Sequence, residues 1–194
     1  MWSYVDDMII TGDDMNGINY LKLQLAKQFK MKDLGTLYYF LGIEVAYSPR
    51  GYLFFQSKYI ANILEHTRLS NTKVINSHLK LNVKYDPSDG VPLSDPTLYR
   101  TLVDNLVYLT ITRPDIAYHV HVVSQFVVSP TIVHWEALLR ICSYLRGTRF
   151  QSLLFPSPSS LELRAYSDAD WRDNPTDRNS ITIFCAFLGD SLIS

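Results

Sequence analysis

An α+β fold is predicted by three features of the sequence. Aromatic and apolar residues run at strand spacing near the start, apolar residues recur at helical spacing through the middle, and strand spacing returns after Gln151. The 194 residues are 47% hydrophobic, enough for one domain of ordinary size, or two small ones, with a real core.

The chain opens on Tyr4-Val5-Asp6-Asp7-Met8-Ile9-Ile10, read as a tight hairpin. Trp2, Tyr4 and Val5 on one side, and Met8, Ile9 and Ile10 on the other, suit strands, while the two aspartates suit the bend. Gly12, Asp13, Asp14 and Asn16 make a polar break with candidate helix caps. A helix follows, with Ile18, Leu21, Leu25 and Phe29 on one face and Lys22, Gln24, Lys27, Gln28 and Lys30 elsewhere. Residues 33–35 end that unit. Residues 36–46 read as a strand that turns at Gly51 into 52–56, a second hairpin whose Tyr38, Tyr39, Phe40, Tyr52, Phe54 and Phe55 suit a packed sheet.

Ser57 is a candidate cap for a short helix burying Tyr59, Ile60, Ile63 and Leu64. From residue 70 to 95 the composition shifts to Asn, Ser, Lys, Pro and Asp without periodicity, so a linker is expected there. Pro96 then suits a first helical turn, and the helix it opens is expected to bury Leu98, Leu102, Leu106 and Leu109. After Arg113-Pro114-Asp115 a second helix turns Ile116, Val120, Val123 and Val127 inward. Ser129-Pro130 starts a third, with Trp135, Leu138, Cys142 and Leu145 inward until Gly147. Three successive amphipathic helices imply a small bundle. Beyond Gln151, residues 153–155, 161–166 and 181–188 read as three strands of one sheet.

Composition excludes some functions. The formal net charge of -1 lacks the overall basic signature of a dedicated nucleic-acid binder, which leaves only local basic faces to carry such a role. Asp6 and Asp7 interrupt the first apolar run, so no secretory signal is read, and no stretch is long and apolar enough to cross a membrane. Met1 followed at once by a strand looks like a cut end. Cys142 and Cys185 lack neighbours at zinc spacing and are expected to be buried thiols in a reducing compartment. His119, His121 and His134 also lack ligand spacing, since residues two apart on a helix face different ways.

The acidic pair has two readings. Aspartates serve surface turns readily. A turn between half-buried strands also fixes carboxylate oxygens where a hard divalent ion can bind, and magnesium is typically held by one or two carboxylates plus substrate phosphates. Lys22 and its neighbours either solvate the outer face of their helix or meet phosphates. Arg140, Arg146 and Arg149 offer guanidinium groups suited to phosphate along one side of the last helix.

Tyr-Val-Asp-Asp in this frame resembles the active-site box of a reverse transcriptase. Asp33-Leu34-Gly35, Tyr39-Phe40-Leu41-Gly42-Ile43-Glu44-Val45, Leu98-Tyr99-Arg100, Thr112-Arg113-Pro114-Asp115-Ile116-Ala117-Tyr118 and Tyr166-Ser167-Asp168-Ala169-Asp170-Trp171 follow in family order. Together they resemble the polyprotein of copia-type retrotransposons over essentially the whole chain.

That resemblance implies the C-terminal part of a polymerase palm over 1–69, a linker over 70–95, a helical thumb or connection over 96–149 and the start of an RNase H-like sheet over 150–194. It implies that Asp6 and Asp7 hold Mg2+ or Mn2+ for nucleotidyl transfer, and that Asp168 binds the metal of the RNase H site with Asp170 nearby. Tyr4, Phe40, Gly42, Gln56, Lys22, Arg140 and Arg146 are the implied nucleic-acid contacts, with the second hairpin gripping the primer. The implied partners are an RNA or DNA primer-template and deoxynucleotides, in a cytoplasmic particle or the nucleus, with no membrane. A further palm aspartate, the fingers and later RNase H carboxylates belong to the family and are expected outside these 194 residues. Alone, then, the chain is expected to be inactive; the alternative is a degenerate remnant with weak nucleic-acid binding. Trp2-Ser3, Asp104, Trp171-Arg172-Asp173 and Ile183 depart from the family pattern, and a carboxylate at Asp104 would need a partner or water.

Overall fold

A computed structural model describes residues 7–67, 85–170 and 181–193, with backbone alone for 168–170 and 181–183. Asp14 caps the first helix, α1 (Met15–Phe29), its side chain accepting from the Asn16 amide at 3.0 Å. Lys30, in the left-handed conformation at φ 54°, ends it. The expected apolar stripe is present but unburied: Ile18 and Leu25 are half-buried, Leu21 and Phe29 exposed, because no other described element packs extensively against this helix. The strand expected over Met8, Ile9 and Ile10 does not form. These residues make no ladder with any described strand, and Met8 and Ile9 are exposed.

The first sheet holds β1 (Tyr39–Phe40), β2 (Ile43–Ser48), β3 (Gly51–Phe55) and β4 (Leu153–Pro156), antiparallel in that order. Leu41 and Gly42, at φ 47° and 80°, make the two-residue β1–β2 turn, and positive φ at both positions matches the right-handed twist of the flanking strands. Strand β4 corrects the expectation that 153–155 belongs with the terminal strands. It closes on the free edge of β3, in a register that sets Leu153 opposite Phe54 and Phe155 opposite Tyr52, with the Phe54 and Phe155 rings edge to face at 4.8 Å. The second sheet is therefore β5 (Leu163–Asp170), β6 (Ile181–Leu188) and a short β7 (Ser191–Leu192), and β5 runs four residues further than expected.

The core is helical. Helices α2 (Ser57–His66), α3 (Thr97–Leu109), α4 (Ala117–Ser124) and α5 (Ile132–Gly147) pool Ile60, Ile63, Leu102, Leu106, Leu109, Val120, Leu138 and Leu145 into one cluster. The bundle thus has four helices where the sequence pattern implies three, because α2 joins it across the segment read as a linker. Helix α3 buries Leu102, Leu106 and Leu109 as expected and departs at one position only. Leu98 is exposed and Tyr99 is fully buried in its place, its hydroxyl donating to the Val123 carbonyl at 2.7 Å, so the polar tip keeps a partner. A 3-10 turn, Pro114–Ile116, separates α3 from α4. Thr131 caps α5 in place of the expected Ser129-Pro130 start, reciprocally with His134, whose Nδ1 accepts from the Thr131 amide at 3.0 Å. Cys142 is buried, which pushes its thiol up to about 12, and Cys185 is half-buried; both are free. Asp104 faces water, which supplies the solvation that a carboxylate on this helix needs.

Candidate nucleic-acid interface

Asp7, the described half of the acidic pair, is exposed in the irregular stretch before α1; Asp6 and Tyr4 lie outside the described residues. Asp168 falls within β5, its backbone paired with Ile183, and its side chain is likewise outside what is described. Among the described residues no group of three His, Cys, Asp or Glu side chains stands where it could hold a metal ion.

Beside the β1–β2 turn lies an open recess of about 380 Å³, lined by Tyr38, Tyr39, Glu44, Val45, Phe55 and Lys58. Tyr38 and Tyr39 are exposed rather than packed into a sheet core. The Lys58 ammonium lies 5.9 Å from the centre of the Tyr39 ring. Glu44 is occupied: its Oε2 accepts from the Ser57 hydroxyl at 2.8 Å and from the Lys58 amide at 3.0 Å, which anchors strand β2 to the start of α2. With the carboxylate so engaged, the recess offers one exposed ammonium and exposed aromatic faces, the groups that meet phosphate and base. The sequence does not single out Lys58, Tyr38 and Tyr39 as contacts, because their spacing reads equally as a wet helix face and a strand interior.

The other expected contacts do not converge on this recess. Phe40 and Gly42 are half-buried at the turn itself. Gln56 is fully buried, its Oε1 accepting from the Thr112 hydroxyl at 2.7 Å, so its side chain cannot touch a strand lying on the surface. Lys22 pairs with Asp33 at 3.1 Å, and the carboxyl of Asp33 is held below its usual range first by the Gly35 amide and then by Lys22. Arg140 is half-buried beside Tyr85. Arg146 stands six residues further along α5, which at about 100° per residue turns it to a different side of the helix rather than the same one.

Two of the shared sequence blocks hold the bundle together. Arg100 donates from Nε and Nη2 to the Val127 and Val128 carbonyls at 2.8 and 3.1 Å. Arg113, almost fully buried, forks onto Asp115 and reaches Thr148.

Residues 1–79 match the family model described as "Reverse transcriptase (RNA-dependent DNA polymerase)". The chain is 39% identical over 191 residues to an uncharacterized mitochondrial protein of Arabidopsis thaliana, covering 98% of this chain and 79% of that one. It is also 39% identical to the Retrovirus-related Pol polyprotein from transposon RE1 of Arabidopsis thaliana, over 100% of this chain and 13% of the polyprotein. A match of 39% to the Pol polyprotein from transposon TNT 1-94 of Nicotiana tabacum covers 98% of this chain and 15% of that one. The chain thus spans less than a sixth of the Pol polyproteins it matches. No solved structure matches it significantly.

Proposed function

We propose, from the premise that the chain belongs to the reverse transcriptase family of copia-type retrotransposon Pol polyproteins, that it supplies the acidic box and primer-holding surface of an RNA-directed DNA polymerase. The observation that carries this reading is the match over residues 1–79, which contains both Tyr4-Val5-Asp6-Asp7 and the β1–β2 turn.

In this reading Asp6 and Asp7 hold Mg2+ or Mn2+, an ion that in polymerases stabilises the attacking and leaving oxygens of phosphoryl transfer. The fit is partial. Asp7 supplies an exposed carboxylate of the right chemistry, but it belongs to no group of three such ligands among the described residues, so no step through the ion is derived. The palm role covers 1–69 and the thumb or connection role 96–149. Residues 150–194 take the start of RNase H, with Asp168 as its metal ligand. Along the primer, the β1–β2 turn with Phe40 and Gly42 meets the sugar-phosphate backbone, while Lys58 and the rings of Tyr38 and Tyr39 add a phosphate contact and a stacking face. Lys22, Arg140 and Arg146 add dispersed phosphate contacts and Tyr4 stands beside the acidic pair; Gln56 is left out because it is buried. The substrates are a primer-template and deoxynucleotides.

The 194-residue chain by itself binds such a duplex weakly without extending it, because one carboxylate pair does not hold two ions and orient both reacting oxygens. The test pairs templated incorporation in Mg2+ or Mn2+ with primer-template binding. Binding without incorporation is expected. Incorporation abolished by Asp6→Asn would overturn the inactivity, and no binding at low salt would overturn the nucleic-acid role.

A further inference from the structure

The turn that carries Leu41 is unusual in its chemistry. Leu41 sits at φ 47° and is exposed, although a left-handed conformation is unfavourable for a residue with a Cβ and is normally left to Gly or Asn. Such a conformation persists when its surroundings determine it. Beside the hairpin geometry itself, a second constraint comes from another part of the chain: the Tyr108 hydroxyl of α3 donates to the Leu41 carbonyl, and that hydroxyl oxygen lies 3.5 Å from where a Cβ at Gly42 would stand. Tyr108 is itself fixed. Its ring meets Tyr59 edge to face at 5.3 Å, and the Tyr59 hydroxyl donates to Asn105 Oδ1 at 3.1 Å, one helical turn from Tyr108 on the same helix.

We propose that Tyr108 is a positioning residue, whose hydroxyl clamps the Leu41–Gly42 turn in the left-handed form in which that turn meets a primer strand. The inference rests on the proposed role of the turn in primer binding. It adds a link between that turn and the helical bundle. A rigid α3, buried through Tyr99, Leu102, Leu106 and Leu109, transmits its position to the turn through one hydroxyl. The exposed tip is thereby ordered before a strand arrives, which lowers the conformational entropy lost on binding.

Tyr108→Phe tests this, since it removes the hydroxyl and keeps the ring against Tyr59. Three readouts are compared with the parent chain: amide exchange at residues 41–43, affinity for a fluorescent recessed primer-template, and thermal unfolding. Exchange at the turn should rise at least tenfold and affinity should fall about threefold to tenfold, with the unfolding midpoint nearly unchanged. Adding Leu41→Asn, which introduces a side chain that tolerates positive φ, should recover most of the lost affinity. Unchanged exchange and affinity in Tyr108→Phe, or no recovery in the double variant, would overturn the proposal. If the parent chain binds no primer-template, the binding role of the turn and of Tyr108 both fall, while the exchange data still decide separately whether the hydroxyl holds the turn.

Discussion

Arg113 and Asp115 face each other across Pro114 in a two-pronged ion pair, Nε to Oδ1 at 2.8 Å and Nη2 to Oδ2 at 2.7 Å. The Tyr144 hydroxyl adds a bond to Asp115 Oδ2 at 2.9 Å, and Arg113 also reaches the carbonyl and hydroxyl of Thr148 through Nη1 and Nη2. This network ties the corner before α4 to the end of α5. The planar fork of arginine matches both carboxylate oxygens, a geometry that lysine lacks.

Arg113→Ala should therefore destabilise the chain by about 3 kcal/mol, because it strands a partly buried carboxylate. Arg113→Lys should cost less but still be measurable by urea unfolding at neutral pH. Burial pushes the Asp115 carboxyl up, but hydrogen bonding and charge from Arg113, with the Tyr144 bond, outweigh it and hold the group below 3.8. A depressed carboxyl contributes stability that is present above the unfolded value and is lost as pH falls through the folded one. The acid limb of the parent should accordingly extend below about pH 3.8, and Asp115→Asn should flatten that part of it.

His134 gives a second pH effect, at milder acidity. Its Nδ1 accepts the Thr131 amide, so the neutral ring carries its proton on Nε2; the ring is buried and stacked on Phe126 at 3.8 Å. Burial holds it below 6.5, outweighing the opposing pull of Asp86 and Asp89. A lowered folded value means the unfolded chain takes up the proton first, so stability is full above 6.5 and drops as pH falls from there toward the folded value. His134→Gln keeps an acceptor at the third helical position and does not titrate. As pH falls below 6.5, its unfolding midpoint should drop less than that of the parent.

Glu44 caps α2 from a neighbouring strand rather than from its own chain end. Glu44→Ala should cost about 1 kcal/mol and speed exchange of the Lys58 amide, whereas Glu44→Gln should retain most of the cap. Thermal unfolding of the two variants separates the acceptor from the charge.

Gly51 stands where β3 meets β4. At φ 139°, a Cβ there would lie 2.1 Å from the Phe155 carbonyl oxygen and 2.8 Å from the Pro156 Cα, both backbone atoms that cannot swing aside. Gly51→Ala should cost about 3 kcal/mol, the upper end for a point substitution. Exchange of the 153–155 amides should rise well before that of the bundle.

Much of this architecture is legible from periodicity, and the departures share a cause. Helix positions, the α1 cap and the inward residues of α4 and α5 follow local spacing. Partner choice does not. That 153–156 closes on β3, that α2 joins the bundle and that α1 keeps its stripe uncovered depend on what stands opposite each element, which a strand or helix pattern does not name. The site shows the same division. The acidic pair stands out by residue type, whereas the Leu41–Gly42 turn interrupts what reads as one strand over 36–46, and Gln56 goes inward while Lys58, Tyr38 and Tyr39 come outward where β1, β2 and α2 meet at Glu44. In the sequence, Arg100 and Arg113 are visible only as members of shared blocks; their bonds to carbonyls and to Asp115 assign them to the bundle.

The most direct test of the account is the affinity of the chain for a recessed DNA primer on an RNA template, measured across roughly 50 to 200 mM salt. Contacts made to phosphate release counterions, so the logarithm of the binding constant should fall linearly with the logarithm of the salt concentration. Binding that ignores salt, or no binding at the lowest salt, would contradict the claim that this surface receives a nucleic-acid strand.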